Sequence, residues 1–292
     1  MRRILLLIDG EAGCRPMLAQ ALRVGEVTGA SLTVAHPAVP APGAMLDEVP
    51  VVIDRPADDK AWAAFQAVCG GRGDARYLAY RAGGGDIVAT LGPGYDLILL
   101  ERLKRETGAE ADLLNAALFE TGRPVLLLPT TMLALPFARP VLAWNGTAMN
   151  ARAIRSALPL LRPTGNAVLL VGSGAGKANP EPLLEYLQAA GVTAEVRSYA
   201  SERLTARGRG RALIAAARAL ESDLLVTGAF GARASGSRLA WAVPRASWLP
   251  PRRCRSCCRI SAVSDPIDRR RPRRTHGCGA MASGDTEPAG SL

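Results

Sequence analysis

Histidine is almost missing from this chain. Of 292 residues only His36 and His276 carry an imidazole, and no Ser-His-acid or Cys-His arrangement is recoverable around them. Lone His36, at the head of a Pro/Ala stretch running to Pro50, reads as a loop residue rather than a ligand. Aromatics make up 4%, too few for large aromatic binding platforms. Lysine occurs only at positions 60, 104 and 177. The other basic residues are arginine, which with the abundant Ala, Gly and Pro points to a GC-rich gene. No apolar run approaches the ~18 residues that span a bilayer. The run at the start, Ile4 to Ile8, stops at Asp9 and is too short for the core of a signal peptide. These absences predict a soluble protein of the reducing cytoplasm without a membrane partner. Cys14 and Cys69 then count as small buried residues.

What is present is enough for a core. Hydrophobic residues make up 48% and charged residues 21%, and the length suits two domains of about 150 residues each. The net charge is +10, but ten Arg against four acids between Arg245 and Leu292 place +6 of it there. The remaining +4 makes no broad basic face, so nucleic acid is not an expected partner.

The chain alternates buried apolar runs with helical periodicity. Strands are predicted over 4–8, 31–35, 76–80, 96–100 and 124–128, with helices over 17–27, 57–69, 86–91 and 112–120 between them. Strands are predicted again over 140–144, 166–171 and 193–199, with helices over 151–161, 181–190 and 211–220. The stretch Asp223-Leu-Leu-Val-Thr-Gly228-Ala-Phe-Gly231 is one more buried strand running into a glycine turn. Gly228 and Gly231 would there permit positive φ and a close backbone approach to a ligand. Strand–helix alternation of this kind means βαβ units and a parallel sheet.

The pattern also repeats. At an offset of 136, Asp9-Gly10 falls on Asn145-Gly146, Thr28-Gly29 on Thr164-Gly165, and Leu32-Thr33-Val34 on Val168-Leu169-Leu170, without a gap. The strand before Gly228 pairs with 96–100 at an offset of 127. Two α/β units in tandem are expected.

These residues carry a resemblance. Ile8-Asp9-Gly10, Trp144-Asn145-Gly146-Thr147 and Asp223-Leu-Leu-Val-Thr-Gly228-Ala-Phe-Gly231 resemble the motifs of a tandem universal stress protein, over about residues 2–130 and 138–231. The resemblance implies two doubly wound parallel sheets in strand order 3-2-1-4-5, packed as a pseudo-twofold pair: domain one over 1–131 and domain two over 138–237. It implies a stress-response regulatory role rather than an enzyme, and self-association as a partner relation. It also implies ATP as ligand, held by an acid after strand one and a Gly-x2-Gly-x9-Gly-(Ser/Thr) loop after strand four, whose amides and following helix N-terminus hold phosphates.

Departures from the pattern locate the site. The first half keeps Asp9 but has Glu101 and Lys104 where Gly228 and Gly231 stand, and a carboxylate there repels phosphate. The second half keeps both glycines, has Asn145 in place of the acid, and has Trp241 where the third glycine belongs. ATP, if bound, is therefore expected in the second half, weakly, against Asn145, Gly146, Thr147, Gly228 and Gly231. A scaffold that binds no nucleotide and acts by self-association is the alternative. An ATP-dependent enzyme on the same fold is a third reading, with no complete phosphate loop and no nucleophile beside a base to support it.

Three stretches imitate other sites. Gly172-Ser-Gly174-Ala-Gly176-Lys177-Ala178 looks like a phosphate loop, but Val171 replaces its first glycine and Ala178 the Mg²⁺-binding hydroxyl. Cys254, Cys257, Cys258, His276 and Cys278 could be drawn as zinc ligands, yet they lack two regularly spaced pairs in a periodic segment, so no metal is expected. The run Arg269 to Arg274 belongs to an Arg-rich tail over 238–292 that reads as disordered.

That tail has a further reading. The last strand of the first half lies in Arg123-Pro-Val-Leu-Leu-Leu-Pro129; its expected counterpart is Arg253-Cys-Arg-Ser-Cys-Cys-Arg259-Ile260. Written in G- or C-ending codons as CGG TGC CGG TCC TGC TGC CGC AT and read from the third base, it becomes Val-Pro-Val-Leu-Leu-Pro-His. The same shift over Leu239 to Ala246 can give Leu-Gly-Gly-Ala-Thr-Arg, with glycine at position 241. A change of reading frame between about Gly236 and Ala240 is thus predicted. It would leave the second sheet one strand short, expose its neighbour's edge, and remove the phosphate end of the site.

Overall fold

The structure, a computed structural model, describes residues 1–8, 14–37, 51–52, 60–81, 84–102, 108–129, 133, 135–173, 178–202, 204–228 and 258–262. In chain order the first half comprises β1 (Arg3–Leu7), α1 (Cys14–Thr28), β2 (Ser31–Pro37), β3 (Val51–Val52), α2 (Lys60–Cys69), β4 (Ala75–Arg81), α3 (Gly84–Leu91), β5 (Leu97–Glu101), α4 (Ala109–Phe119) and β6 (Val125–Leu128). The second half comprises β7 (Pro140–Trp144), α5 (Ala148–Leu161), β8 (Asn166–Gly172), α6 (Glu181–Ala189), β9 (Thr193–Tyr199), α7 (Ala206–Ala219) and β10 (Leu224–Gly228), followed by β11 (Cys258–Ala262).

The sheet order is β3-β4-β2-β1-β5-β6-β11-β10-β7-β8-β9. Within it β4-β2-β1-β5-β6 is a parallel 3-2-1-4-5 sheet, and β9-β8-β7-β10 is the same order less its fifth strand. Residues on one face share a continuous core under α1, α2, α5 and α6, from Leu18 and Phe65 to Ile154 and Leu187. The other face is split: α3 and α4 cover β5 and β6, and α7 covers β7 and β10. The central strands are apolar on both faces because both faces are covered.

The two halves are pinned alike. Asp96 accepts the backbone N–H groups of Arg2 (2.6 Å) and Arg3 (3.1 Å). Asp223, 127 residues on, accepts those of Ala138 (2.6 Å) and Arg139 (3.1 Å), each 136 residues on. Gly29 and Gly165 both end a helix at φ +67° and +68°, the left-handed conformation that glycine adopts without strain.

Four expectations are corrected. The repeat is not gapless: Leu6 pairs with Val34 but its counterpart Leu142 pairs with Leu169, so strand two matches at 135 rather than 136. Leu32 and Val34 face the shared core, as do Ala167 and Leu169; a one-residue slip would have turned them to the opposite face. His36 lies in β2, in register with Ala79, because β4 supplies a partner strand that far; its ring bonds the Tyr77 hydroxyl at 3.1 Å. β3 was not expected; it adds antiparallel to the end of β4. Residues 258–262, placed in the structureless tail, form β11, and the edge of β10 expected to be bare is paired. β11 runs antiparallel to β10 and parallel to β6, the reverse of a fifth strand of the second sheet. An unpaired edge presents a ladder of N–H and C=O groups that takes up any extended segment.

Candidate functional site

Adjacent central strands β7 and β10 run parallel, and the second sheet reverses its direction of growth between them. Ligands of open α/β sheets bind at such switch points, beyond the carboxyl ends of the strands. Asn145, Gly146 and Thr147 leave the end of β7, and Gly228 is the end of β10. The structure thus brings four of the five predicted residues to one place. Gly231 lies outside the described residues, as do Trp241, Lys104 and the Asp9-Gly10 pair.

The turn after β7 is built by its own side chains. Gly146 takes φ +75°, and a Cβ there would lie 3.1 Å from the Ala178 Cβ. Asn145 Oδ1 accepts the Thr147 N–H at 3.1 Å and the Thr147 hydroxyl at 2.7 Å. Thr147 is the N-cap of α5, its Oγ1 accepting from the Asn150 N–H at 3.4 Å. The carbonyl end of Asn145 is therefore already engaged in the turn. Among the described residues its Nδ2 has no partner, leaving its two N–H donors at the strand ends.

Gly228 is a glycine for a reason the sequence reading did not give. Its φ is not in the left-handed region; a Cβ would stand 2.6 Å from Asn150 Oδ1 and 2.8 Å from both Asn150 N and the Met149 carbonyl carbon. The first turn of α5 lies directly on the end of β10, and only a residue without a side chain fits beneath it. The expectation of positive φ at Gly228 is corrected accordingly.

Asn150 was missed. It is 3% exposed, donates Nδ2 to the Ala143 carbonyl near the end of β7, and holds its Oδ1 3.2 Å from the Thr147 hydroxyl oxygen. One side chain thereby ties β7, the helix start and the contact with β10 together. The signal was Thr147-x-x-Asn150, the spacing of an N-cap and the third helical residue.

In the first half Glu101 ends β5, where Gly228 ends β10, and it is half-buried. Gly172 of the imitation phosphate loop ends β8, where a Cβ would meet Ser201 Oγ at 2.5 Å; residues 174–177 lie outside the described residues. Cys254, Cys257, His276 and Cys278 lie outside them too. Among the described residues no group of His, Cys, Asp and Glu could hold a metal ion, and no helix is long and apolar enough to cross a membrane.

Two solved structures resemble this arrangement. A universal stress protein from Archaeoglobus fulgidus DSM 4304 superposes with a TM-score of 0.50 at 14% identity, over 76% of this chain and 84% of that one. A protein from Pseudomonas aeruginosa UCBPP-PA14 described as a universal stress protein gives a TM-score of 0.51 at 15% identity, over 90% of this chain and 93% of that one. The fold is the universal-stress-protein fold. By sequence, no family model and no curated protein matches the chain. On that fold, the Asn145–Thr147 turn and the end of β10 are the groups that meet at the crossover.

Proposed function

We propose that the chain is a tandem stress-response regulatory protein whose second half takes an adenine nucleotide weakly, against Asn145, Gly146, Thr147, Gly228 and Gly231. The observation that carries this reading is the convergence of the Asn145 turn, the α5 N-terminus and the β10 end at the switch point between β7 and β10. Asn145 Nδ2 fits the base or ribose, and the N-terminus of α5 favours a negative group. The phosphate end of the site is expected to be poor, because Trp241 stands at the third glycine position. The frame change proposed between about Gly236 and Ala240 accounts for that residue; the gene's nucleotide sequence tests it, since a shifted frame that fails to encode Val-Pro-Val-Leu-Leu refutes it.

A second reading has its own support. Asn145 Oδ1 is spent inside its turn, and the bareness of Gly228 serves the packing of α5. A scaffold acting through self-association needs neither group for a ligand. Equilibrium dialysis of the full chain against labelled ATP separates the two: saturable binding is expected, and its absence up to millimolar ATP leaves the scaffold.

A further inference from the structure

The eleven-stranded sheet ends differently on its two sides. On one side the two-residue β3 covers only the end of β4, at Tyr80 and Arg81. On the other side β9 offers seven residues, and among the described residues no strand pairs with its outer edge. Five of its seven residues are exposed. The three exposed large hydrophobic residues among those described all belong to its neighbourhood: Val196 on β9, Tyr186 on α6, and Leu204 between β9 and α7.

The direction of the open backbone groups follows from the inner ladder. The N–H of Thr193 bonds the Gly165 carbonyl, and the Tyr199 carbonyl accepts from the Ser173 N–H. Odd-numbered residues of β9 are therefore bonded to β8. The N–H and C=O groups of Ala194, Val196 and Ser198 point to the open side.

We propose that β9 is a self-association edge, pairing antiparallel with β9 of a second copy about a twofold axis at Val196. In that register Val196 meets its own copy as a hydrogen-bonded pair and Ala194 meets Ser198, giving about six backbone hydrogen bonds. Glu195 then stands opposite Arg197 of the second copy, and Arg197 opposite Glu195, as non-hydrogen-bonded pairs where side chains approach most closely. Within one chain Arg197 and Glu195 already form an ion pair on one face of the strand, both more than half exposed. The edge is thus charge-complementary to itself: in this register each charge meets its opposite on the second copy.

Sedimentation equilibrium of the full chain tests this. A dimer is expected below about 100 µM. Glu195→Arg or Arg197→Glu sets like charges opposite each other twice per dimer and should weaken it by about tenfold or more; the double exchange E195R/R197E restores complementarity and should restore the dimer. Val196→Pro removes an outward N–H that makes no bond to β8, so the monomer keeps its thermal unfolding while dimerisation is lost. A chain that stays monomeric through about 100 µM, or a dimer that all of these substitutions leave unchanged, overturns the proposal.

Discussion

The ends of β5 and β10 occupy the same place in the two halves of the molecule, and they differ by a whole side chain. At the end of β5 the fold tolerates Glu101, a half-buried carboxylate. At the end of β10 it admits only Gly228, because Asn150 and Met149 lie within 2.8 Å of where a Cβ would be. The strands, their parallel partners and the aspartate before each are alike. At β10 the first turn of α5, the helix after β7, packs on the strand end; at β5 a full side chain is accommodated. A glycine next to a candidate ligand site can therefore be a packing residue first, and its presence alone says little about a ligand.

The comparison breaks most visibly at these two residues. Gly228→Val should cost about 3 kcal/mol or more, since backbone rather than a flexible side chain must move; Glu101→Val should cost less than about 1 kcal/mol. Thermal unfolding of both variants decides it, and equal losses would mean the helix starts are equally close. The next largest effect is at Asn150, whose counterpart at offset 136 is Cys14. Asn150→Ala leaves the Ala143 carbonyl without its donor and should cost about 1–3 kcal/mol, more than Cys14→Ala under the same denaturant titration.

A smaller effect sharpens the likeness. Asp96→Ala and Asp223→Ala each remove the acceptor of two backbone N–H groups at the entry to strand one, and both should cost about 1 kcal/mol. The Arg2 N–H, with that of Arg3, holds the Asp96 carboxyl below the usual carboxylate range against the opposing effect of its burial. Its folded value lies below its unfolded value, so its contribution is present above about pH 4 and fades as pH falls through the folded value. Acid titration of stability should flatten in Asp96→Ala. Smallest is a difference at high pH. Burial pushes the Cys69 thiol up to about 11. A raised value means the contribution is present below the unfolded value of about 9 and is lost as pH rises through about 11. Cys69→Ala should remove that part of the alkaline loss of stability.

Most strands were legible because their apolar runs are buried on both faces, as Leu97–Leu100 and Leu224–Val226 are. The same property hid the register. Val168-Leu169-Leu170 is apolar throughout, so a one-residue slip against Leu32-Thr33-Val34 leaves no mark in the sequence. β3 has two residues just after a Pro/Ala stretch, and β11 reads Cys-Arg-Ile-Ser-Ala; neither has a run long enough to register as a strand. Asn145, Gly146, Thr147 and Gly228 were legible as a group, because strand ends and glycines mark turns. Asn150 was not: its role depends on how near α5 sits to β10, a tertiary distance that spacing along the chain does not contain.

The measurement that bears most directly on the central claim is ATP titration of two variants of the full chain by calorimetry. Asn145→Ala removes the donor at the second-half switch point, and Asp9→Ala removes the acid at the equivalent place in the first half. Binding weakened about tenfold or more by Asn145→Ala, and left unchanged by Asp9→Ala, is the predicted result. Binding that survives Asn145→Ala and falls with Asp9→Ala would contradict the account, because the site would then belong to the half that ends β5 with Glu101.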